Sequence, residues 1–422
     1  MIKALRGTQD ILPGAAEKWQ FLETRIRRLC RQYGFGEIRT PHFEQTELFQ
    51  RGIGETTDVV SKEMYTFLDR GNRSLTLRPE NTAAAVRAYL EHKEYADQGV
   101  TKWYYMGSMF RYDRPQAGRF REFHQFGIEI LGTPLPQADA ECIAMAVQLF
   151  TELGLQDLTV YINSVGCPVC RPRYRQALLD YLQQYRGELC EDCVARMEKN
   201  PLRVLDCKQE HCHAVALGAP RLTAHLCEGC ATHYQAVRAL LAAAGIAVTE
   251  DPRLVRGLDY YTKTAFEIQY APLGAQSAIC GGGRYDGLVE EIGGISVPGI
   301  GFAVGLERLL LALESQQLLP VQDTAADVAI AVQTEAANEV AFALGQQLRQ
   351  AGRSVDTDLL QRSMKSRLKQ AAKSGVKYVI IMGETELTEG TVTLRDMQSH
   401  AQETVPQAAL TDVLATKLDG RG

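Results

Sequence analysis

Residues 102–132 read KWYYMGSMFRYDRPQAGRFREFHQFGIEILG and hold the densest set of side chains able to do chemistry. Two runs rich in aromatic and β-branched residues flank a polar, basic connector containing Pro115 and Gly118, the pattern of two long antiparallel strands joined by a loop. Strand alternation puts Trp103, Tyr105, Gly107, Met109 and Arg111 on one face of the first strand, and Phe123, Gln125, Gly127, Glu129 and Leu131 on one face of the second. A guanidinium, a carboxamide and a carboxylate sharing a face with Trp103, Phe123 and Leu131 suit the floor of a pocket better than a solvated surface. Gly107 and Gly127 leave bare backbone among them, and glycine within a strand often marks close approach by a ligand or another backbone.

Residues 163–234 carry a different chemistry. CPVC (Cys167, Cys170), CEDC (Cys190, Cys193), DCKQEHC (Cys207, Cys212) and CEGC (Cys227, Cys230) gather eight of the chain's eleven cysteines. A C-x-x-C turn aims two thiolates at one tetrahedral ion. The outer pairs, Cys167, Cys170, Cys227 and Cys230, are therefore expected to hold a structural Zn²⁺ at the base of the segment. The inner four form a second site or are buried thiols. No thioredoxin-like βαβ pattern surrounds any pair, which argues against a redox role.

Other candidates are scattered along the chain. In SLTLRPENTAAAVRAYL, Glu80 and Thr82 fall where a strand gives way to a helix. They either cap that helix, where the macrodipole favours a carboxylate, or hold a ligand's ammonium group. In RLVRGLDYYT, Arg256 offers a planar fork for phosphate or carboxylate oxygens, beside Gly257, Tyr260 and Tyr261. Tyr285 sits in the glycine-dense GGGRYDG, and Arg308 in the first turns of a helix whose Leu306, Leu309, Leu310 and Leu313 face inward.

The elements that position these groups need more than one core. At 422 residues, two or three domains are expected, and 45% hydrophobic with 23% charged residues is a globular composition. Trp19, Leu22, Ile26, Leu29 and Tyr33 recur at helical spacing after RGTQDILPG, whose Arg6, Gly7 and Asp10 read as helix-start chemistry. After a polar break over 316–325, the strand-like ADVAIAV, SVDTDL, KYVIIMG and TVTLRDM alternate with helical stretches at 335–350, 361–374 and 406–417. That is a small α/β domain with a mixed sheet. Arg362, Lys365, Lys369 and Lys373 share a face of its middle helix, a solvated stripe that could also attract phosphates. The N-terminal residues have no signal-peptide core, and no apolar run reaches membrane-spanning length, so the expected location is the cytoplasm without membrane contact. A net charge of −5 does not advertise nucleic-acid binding.

FRYDRP…GRFREFHQFG resembles motif 2 of class II aminoacyl-tRNA synthetases, in the form typical of the histidyl family. RGTQDILP resembles that family's N-terminal signature, and the helix and strand up to Pro41 its motif 1. RPENT resembles its R-P-E-G-T, with Asn81 for glycine. RLVRGLDYYT is similar to its histidine-specific motif, and G-x-G-x-x-x-G-x-E-R at 299–308 to motif 3. The resemblance runs over nearly the full length. It implies an α+β catalytic domain, 1–320, on the antiparallel class II sheet, with the cysteine-rich segment at about 167–232 as an insertion, and an anticodon-binding domain at 326–422. It further implies a homodimer that joins L-histidine to tRNA(His) using ATP and Mg²⁺. Glu80, Thr82 and Gln125 would take the histidine ammonium, while Glu129, Tyr260, Tyr261 and Tyr285 would surround the imidazole. Arg111 and Arg256 would take carboxylate and α-phosphate oxygens, and Arg119 and Arg308 the outer phosphates. The alternative is a histidine-binding regulatory subunit of ATP phosphoribosyltransferase. That paralogue typically lacks the arginine at the position of Arg256 and the C-terminal domain.

Overall fold

The strands Thr101–Phe110 and Glu122–Leu131 pair antiparallel along their whole length, with Gly107 opposite Gln125, Tyr105 opposite Gly127 and Trp103 opposite Glu129. They belong to an eight-stranded sheet in a computed structural model that describes residues 2–420 except 55, 56, 98, 117, 206, 208, 321–325 and 361. From one edge the order is Gly36–Glu37, Thr101–Phe110, Glu122–Leu131, Gly299–Gly305, Ala278–Arg284, Thr262–Tyr270, Leu158–Ser164 and Thr249–Glu250. The six inner strands are antiparallel to one another, and the two short outer ones run parallel to the inner strands beside them.

Alternation sorts this sheet into two faces. Phe126, Ile128 and Ile130 point into the main core, where the helices Ala16–Gln32, Pro136–Glu152, Glu228–Ala243 and Leu306–Ser315 cover them. The first helix buries Trp19, Leu22, Ile26, Leu29 and Cys30, and the last buries Leu306, Leu309, Leu310 and Leu313. Each such apolar side chain contributes about 1.5–3 kcal/mol on leaving water. The opposite face carries Gln125 and Glu129.

The hairpin glycines are filled by neighbouring side chains rather than by a ligand or foreign backbone. A Cβ on Gly127 would collide with the Tyr105 ring, and one on Gly107 would meet the Arg78 guanidinium at 2.7 Å. Trp103 and Leu131 leave the pocket floor as well. Trp103 packs edge-on to Tyr89, and Leu131 joins a separate apolar cluster, because alternation fixes a face but not what covers it. Arg6, Gly7 and Asp10 do not start the first helix, which begins at Ala16. Gly7 instead accepts a hydrogen bond from the Arg121 amide at 2.6 Å, docking the N-terminal segment on the hairpin connector.

The chain folds as two compact units, Met1–Pro320 and Val321–Gly422. In the first, the cysteine-bearing segment builds its own small core from the helices Arg171–Gln184, Glu191–Lys199 and Glu210–Leu217. A three-stranded sheet of Phe43–Gln45, Ser74–Leu77 and Tyr65–Leu68 leads into the helix Thr82–Glu91. Asn81 stands at φ −118°, so its replacement of glycine asks nothing unusual of the backbone.

The second unit has a five-stranded mixed sheet ordered Val355–Thr357, Val328–Val332, Tyr378–Met382, Thr391–Asp396 and Gln402–Pro406. The first three are parallel and the rest antiparallel. Its helices include Asn338–Gln350, Met364–Lys373 and Leu410–Asp419. The strand Gln402–Pro406 and the helix Glu384–Glu389 had no clear periodicity in the sequence. On the middle helix Lys365, Lys369 and Lys373 are exposed and Arg367 is buried against the carbonyls of Ile330 and Asp356, whereas Arg362 precedes the helix and pairs with Asp358 instead of joining the stripe. Residues 321–325 of the polar break and Gln361 at the start of the expected middle helix lie outside the described residues. No helix among the described residues is long and apolar enough to cross a membrane.

Candidate active site

The polar face of the large sheet floors a cleft of about 1000 Å³. Glu80, Thr82, Arg111, Arg119, Gln125 and Arg308 line it, as do Arg256, Tyr260, Tyr261 and Tyr285. Residues separated by more than two hundred positions thus meet around one space, and Glu129 lies buried in its floor.

Glu129 shapes the deep end. Tyr105 donates its hydroxyl to Oε1 at 3.1 Å and Tyr285 donates to Oε2, with Tyr260 edge-on to Tyr285 at 5.7 Å. Burial pushes the Glu129 carboxyl up to about 8, although the Tyr285, Thr82 and Tyr105 hydroxyls favour its charged form. The Tyr285 turn is itself anchored. Arg284, fully buried, pairs with Asp139 and also reaches Asp286 and the carbonyls of Thr133 and Leu135. His233 Nε2 meets Asp139 Oδ1 at 3.0 Å. Burial alone would raise the Asp139 carboxyl, but the His233 and Arg284 hydrogen bonds bring it below the ordinary value.

Glu80 caps its helix and lines the cleft at once. Its oxygens accept from the Thr82 amide at 2.6 Å and the Ala83 amide at 3.0 Å. Burial raises its pKa. Arg78, buried beneath, ties this turn to the hairpin through the Ser108 carbonyl and Asn81 Oδ1.

Positive charge gathers at the hairpin end. Arg111 donates Nε to the Pro79 carbonyl at 2.8 Å and lies over the Phe123 ring. Arg119 pairs with Asp113 at 2.9 Å, and Arg308 donates to the carbonyls of Ala278 and Gly118. Burial lowers the pKa of Arg308, and the neighbouring Arg119 and Arg111 lower it further. Three guanidiniums that repel one another inside a cleft form a receptacle for a polyanion.

On the far wall, Arg256 donates Nη1 to Glu267 at 2.7 Å. Its head lies over Gly281, where a Cβ would collide with Nη2, so any larger residue would push the guanidinium from this place. Arg256 Nε and Gln125 Oε1 are buried without a hydrogen-bond partner among the described residues, which suits groups that a ligand completes.

Trp103 and Leu131 apart, the residues singled out for the cleft therefore border it or lie in its floor. Sequence reading missed Tyr105, Glu267 and the Asp139–Arg284–His233 cluster. Tyr105 was legible, since it shares the Arg111 face. Glu267 faces Gly281 across the sheet, a pairing only register reveals. Asp139 lies in the first turn of its helix, where an acid is ordinary and gives no signal of its partners.

The cysteines also assemble. Cys167, Cys170, Cys227 and Cys230 bring their sulfurs within 4.8 Å of one another, and so do Cys190, Cys193, Cys207 and Cys212.

An antiparallel core sheet whose long hairpin brings arginines into a cleft, joined in one chain to a small mixed-sheet domain, is the architecture of a class II aminoacyl-tRNA synthetase. Similarity to known proteins narrows this. Residues 7–309 match the family model for histidyl-tRNA synthetase, and residues 325–417 that for an anticodon-binding domain. A histidine–tRNA ligase of Pelotomaculum thermopropionicum is 53% identical over 99% of this chain and 98% of its own. One from Desulforamulus reducens is 54% identical over 95% and 96%. The crystal structure of apo histidyl-tRNA synthetase from S. aureus superposes with a TM-score of 0.83 at 41% identity, covering 98% of this chain and all of that one. The chain belongs to the histidyl-tRNA synthetase family.

Proposed function

We propose that this chain ligates L-histidine to tRNA(His) through a histidyl-adenylate, with residues 1–320 as catalytic domain and 326–422 as anticodon-binding domain. The observation that carries the reading is the polarity of the cleft: a buried carboxylate ringed by tyrosine hydroxyls at one end, three arginines at the other, and Arg256 beside them.

The amino acid lies with its imidazole toward Glu129, which accepts a ring N–H, and toward the hydroxyls of Tyr261 and Tyr285. Glu80, Thr82 and the free Gln125 Oε1 take the ammonium. ATP enters as its Mg²⁺ complex, its outer phosphates on Arg119 and Arg308. A carboxylate oxygen of histidine attacks the α-phosphorus in line, the new O–P bond forms, and the bond to the bridging oxygen breaks to release pyrophosphate. Arg111 and Arg256 neutralise the charge on the α-phosphate and carboxylate oxygens. Catalysis is thus positioning and electrostatics. The tRNA terminal adenosine then attacks the carbonyl carbon and AMP leaves. A clamp of buried polar groups rejects apolar analogues, because they leave its groups unpaired.

The chain acts as a homodimer in the cytoplasm, and Cys167, Cys170, Cys227 and Cys230 hold a structural Zn²⁺. Their sulfur spacings of 3.7–3.8 Å fit a tetrahedral ion and are too long for disulfides. The regulatory-subunit alternative is not favoured: Arg256 and a full C-terminal unit are both present. Amino-acid-dependent ATP–pyrophosphate exchange across all twenty amino acids is the test. Exchange with histidine alone is expected. Exchange with a different amino acid would overturn the specificity, and histidine binding without exchange would restore the regulatory reading.

A further inference from the structure

The inner cysteines gather into a cluster of their own, separate from the outer set. The geometry points to a second structural zinc site formed by Cys190, Cys193, Cys207 and Cys212, which fixes the part of the insertion that walls the active-site cleft.

Four observations support it. The four sulfurs lie within 4.8 Å of one another, with Cys190 and Cys207 3.9 Å apart. A tetrahedral ion bound by four thiolates at about 2.3 Å sets its sulfurs roughly 3.8 Å apart. A disulfide would need a far shorter separation, and a four-iron cluster would spread the thiolates wider because its irons stand between them. The spacings, C-x-x-C and then C-x-x-x-x-C, are those of thiolate knuckles. The inner set also copies the outer one in local structure. Cys190 and Cys227 each stand at the N-cap of a helix, with Cys193 and Cys230 one turn in, where the helix dipole favours thiolates. Each set receives a backbone amide on sulfur: the Cys190 amide donates to Cys212 at 3.2 Å, and the Cys167 amide to Cys170 at 3.1 Å. Finally, the inner set is all thiol among the described residues. Cys193, Cys207 and Cys212 are buried, and an all-thiolate donor set selects a soft or borderline ion such as Zn²⁺.

The position gives the site a role. Cys190 and Cys207 border the cleft. Between them, Arg203 reaches Asp58 at 2.9 Å and the Gly257 carbonyl, Arg196 reaches Asp58, and Asn200 donates to Asp259 at 3.0 Å. Gly257 and Asp259 flank Leu258 just after Arg256. An ion at the inner thiolates ties Cys190 and Cys193 to Cys207 and Cys212, closing the loop that makes these contacts. It thereby holds the wall against the Arg256 turn.

The test counts metal on the full chain. Protein purified without chelator is expected to carry two zinc ions by native mass spectrometry and elemental analysis. Cys190→Ser/Cys207→Ser should retain one, and Cys167→Ser/Cys227→Ser should also retain one. Hydrogen exchange should rise over residues 196–205 in the first variant only. Stripped wild-type chain titrated with Co²⁺ should show sulfur-to-cobalt charge-transfer absorption with an endpoint at two equivalents, a readout that needs no variant to fold. A wild-type endpoint at one equivalent, unchanged in Cys190→Ser/Cys207→Ser, overturns the inner site and leaves the outer one standing. Iron in place of zinc, or a disulfide among the inner four in freshly purified protein, also overturns it.

Discussion

Replacing Glu129 with glutamine isolates the carboxylate at the deep end of the cleft. The side chain keeps its shape, and Tyr105 and Tyr285 can still bond to it because a hydroxyl both donates and accepts. What disappears is the charge. In the free protein burial holds this carboxyl at about 8 instead of the ordinary 4.5. The folded chain therefore keeps a proton over that interval that the unfolded chain has lost, so stability contributed there falls as pH rises from the lower value to the upper and is flat above it. Histidine binding runs the other way, because the ionised form is the stronger acceptor for an imidazole N–H. With a pKa of about 8, the ionised fraction rises about eightfold between about pH 7 and about pH 8.5, an interval in which the free imidazole is mostly neutral and loss of the ligand's ammonium proton toward the upper end offsets part of the gain. The assay is histidine dissociation constant by calorimetry, together with kcat/KM in pyrophosphate exchange, across that interval. Wild type should tighten by several-fold. Glu129→Gln should bind about 10- to 100-fold more weakly at the upper end, the worth of a hydrogen bond to a charged group, and show no such rise. A wild-type profile that is flat, or a variant with the same slope, refutes the reasoning.

Arg256→Ala should reduce adenylation by roughly 100- to 1000-fold while histidine binding stays measurable by calorimetry; near-normal exchange would remove Arg256 from the mechanism. Asp139→Asn strips the fully buried one of the two carboxylates paired with Arg284 and should cost up to about 3–5 kcal/mol, since Asp286 still offsets part of the charge, read as a lower melting temperature; an unchanged melt would deny that this cluster anchors the Tyr285 turn. Ending the chain after Pro320 should spare pyrophosphate exchange more than tRNA charging, and equal losses would contradict the division of labour between the two units.

The sequence by itself determined the hairpin, the helix faces and the identity of the polar groups. Alternation put Arg111, Gln125 and Glu129 on one side of their strands, and the 3.6-residue period put Trp19, Leu22, Ile26 and Leu29 on one side of a helix. These are local periodicities, written within a dozen residues. C-x-x-C spacing likewise revealed pairs of thiols. It also set the outer pairs apart as one site, and Cys170 does find Cys230 sixty positions further along the chain, but only tertiary structure decided that the inner four meet as well. It also decided what fills each face. Tyr105 covers Gly127, Trp103 turns to Tyr89, and Glu267 claims one edge of Arg256. The physical reason is that register between distant strands is set by how whole faces bury against helices, and a strand's own pattern names its sides without naming its neighbours. The raised pKa of Glu129 belongs to the same class: its surroundings exclude water and place Glu80 nearby, and those surroundings come from stretches far apart in the chain.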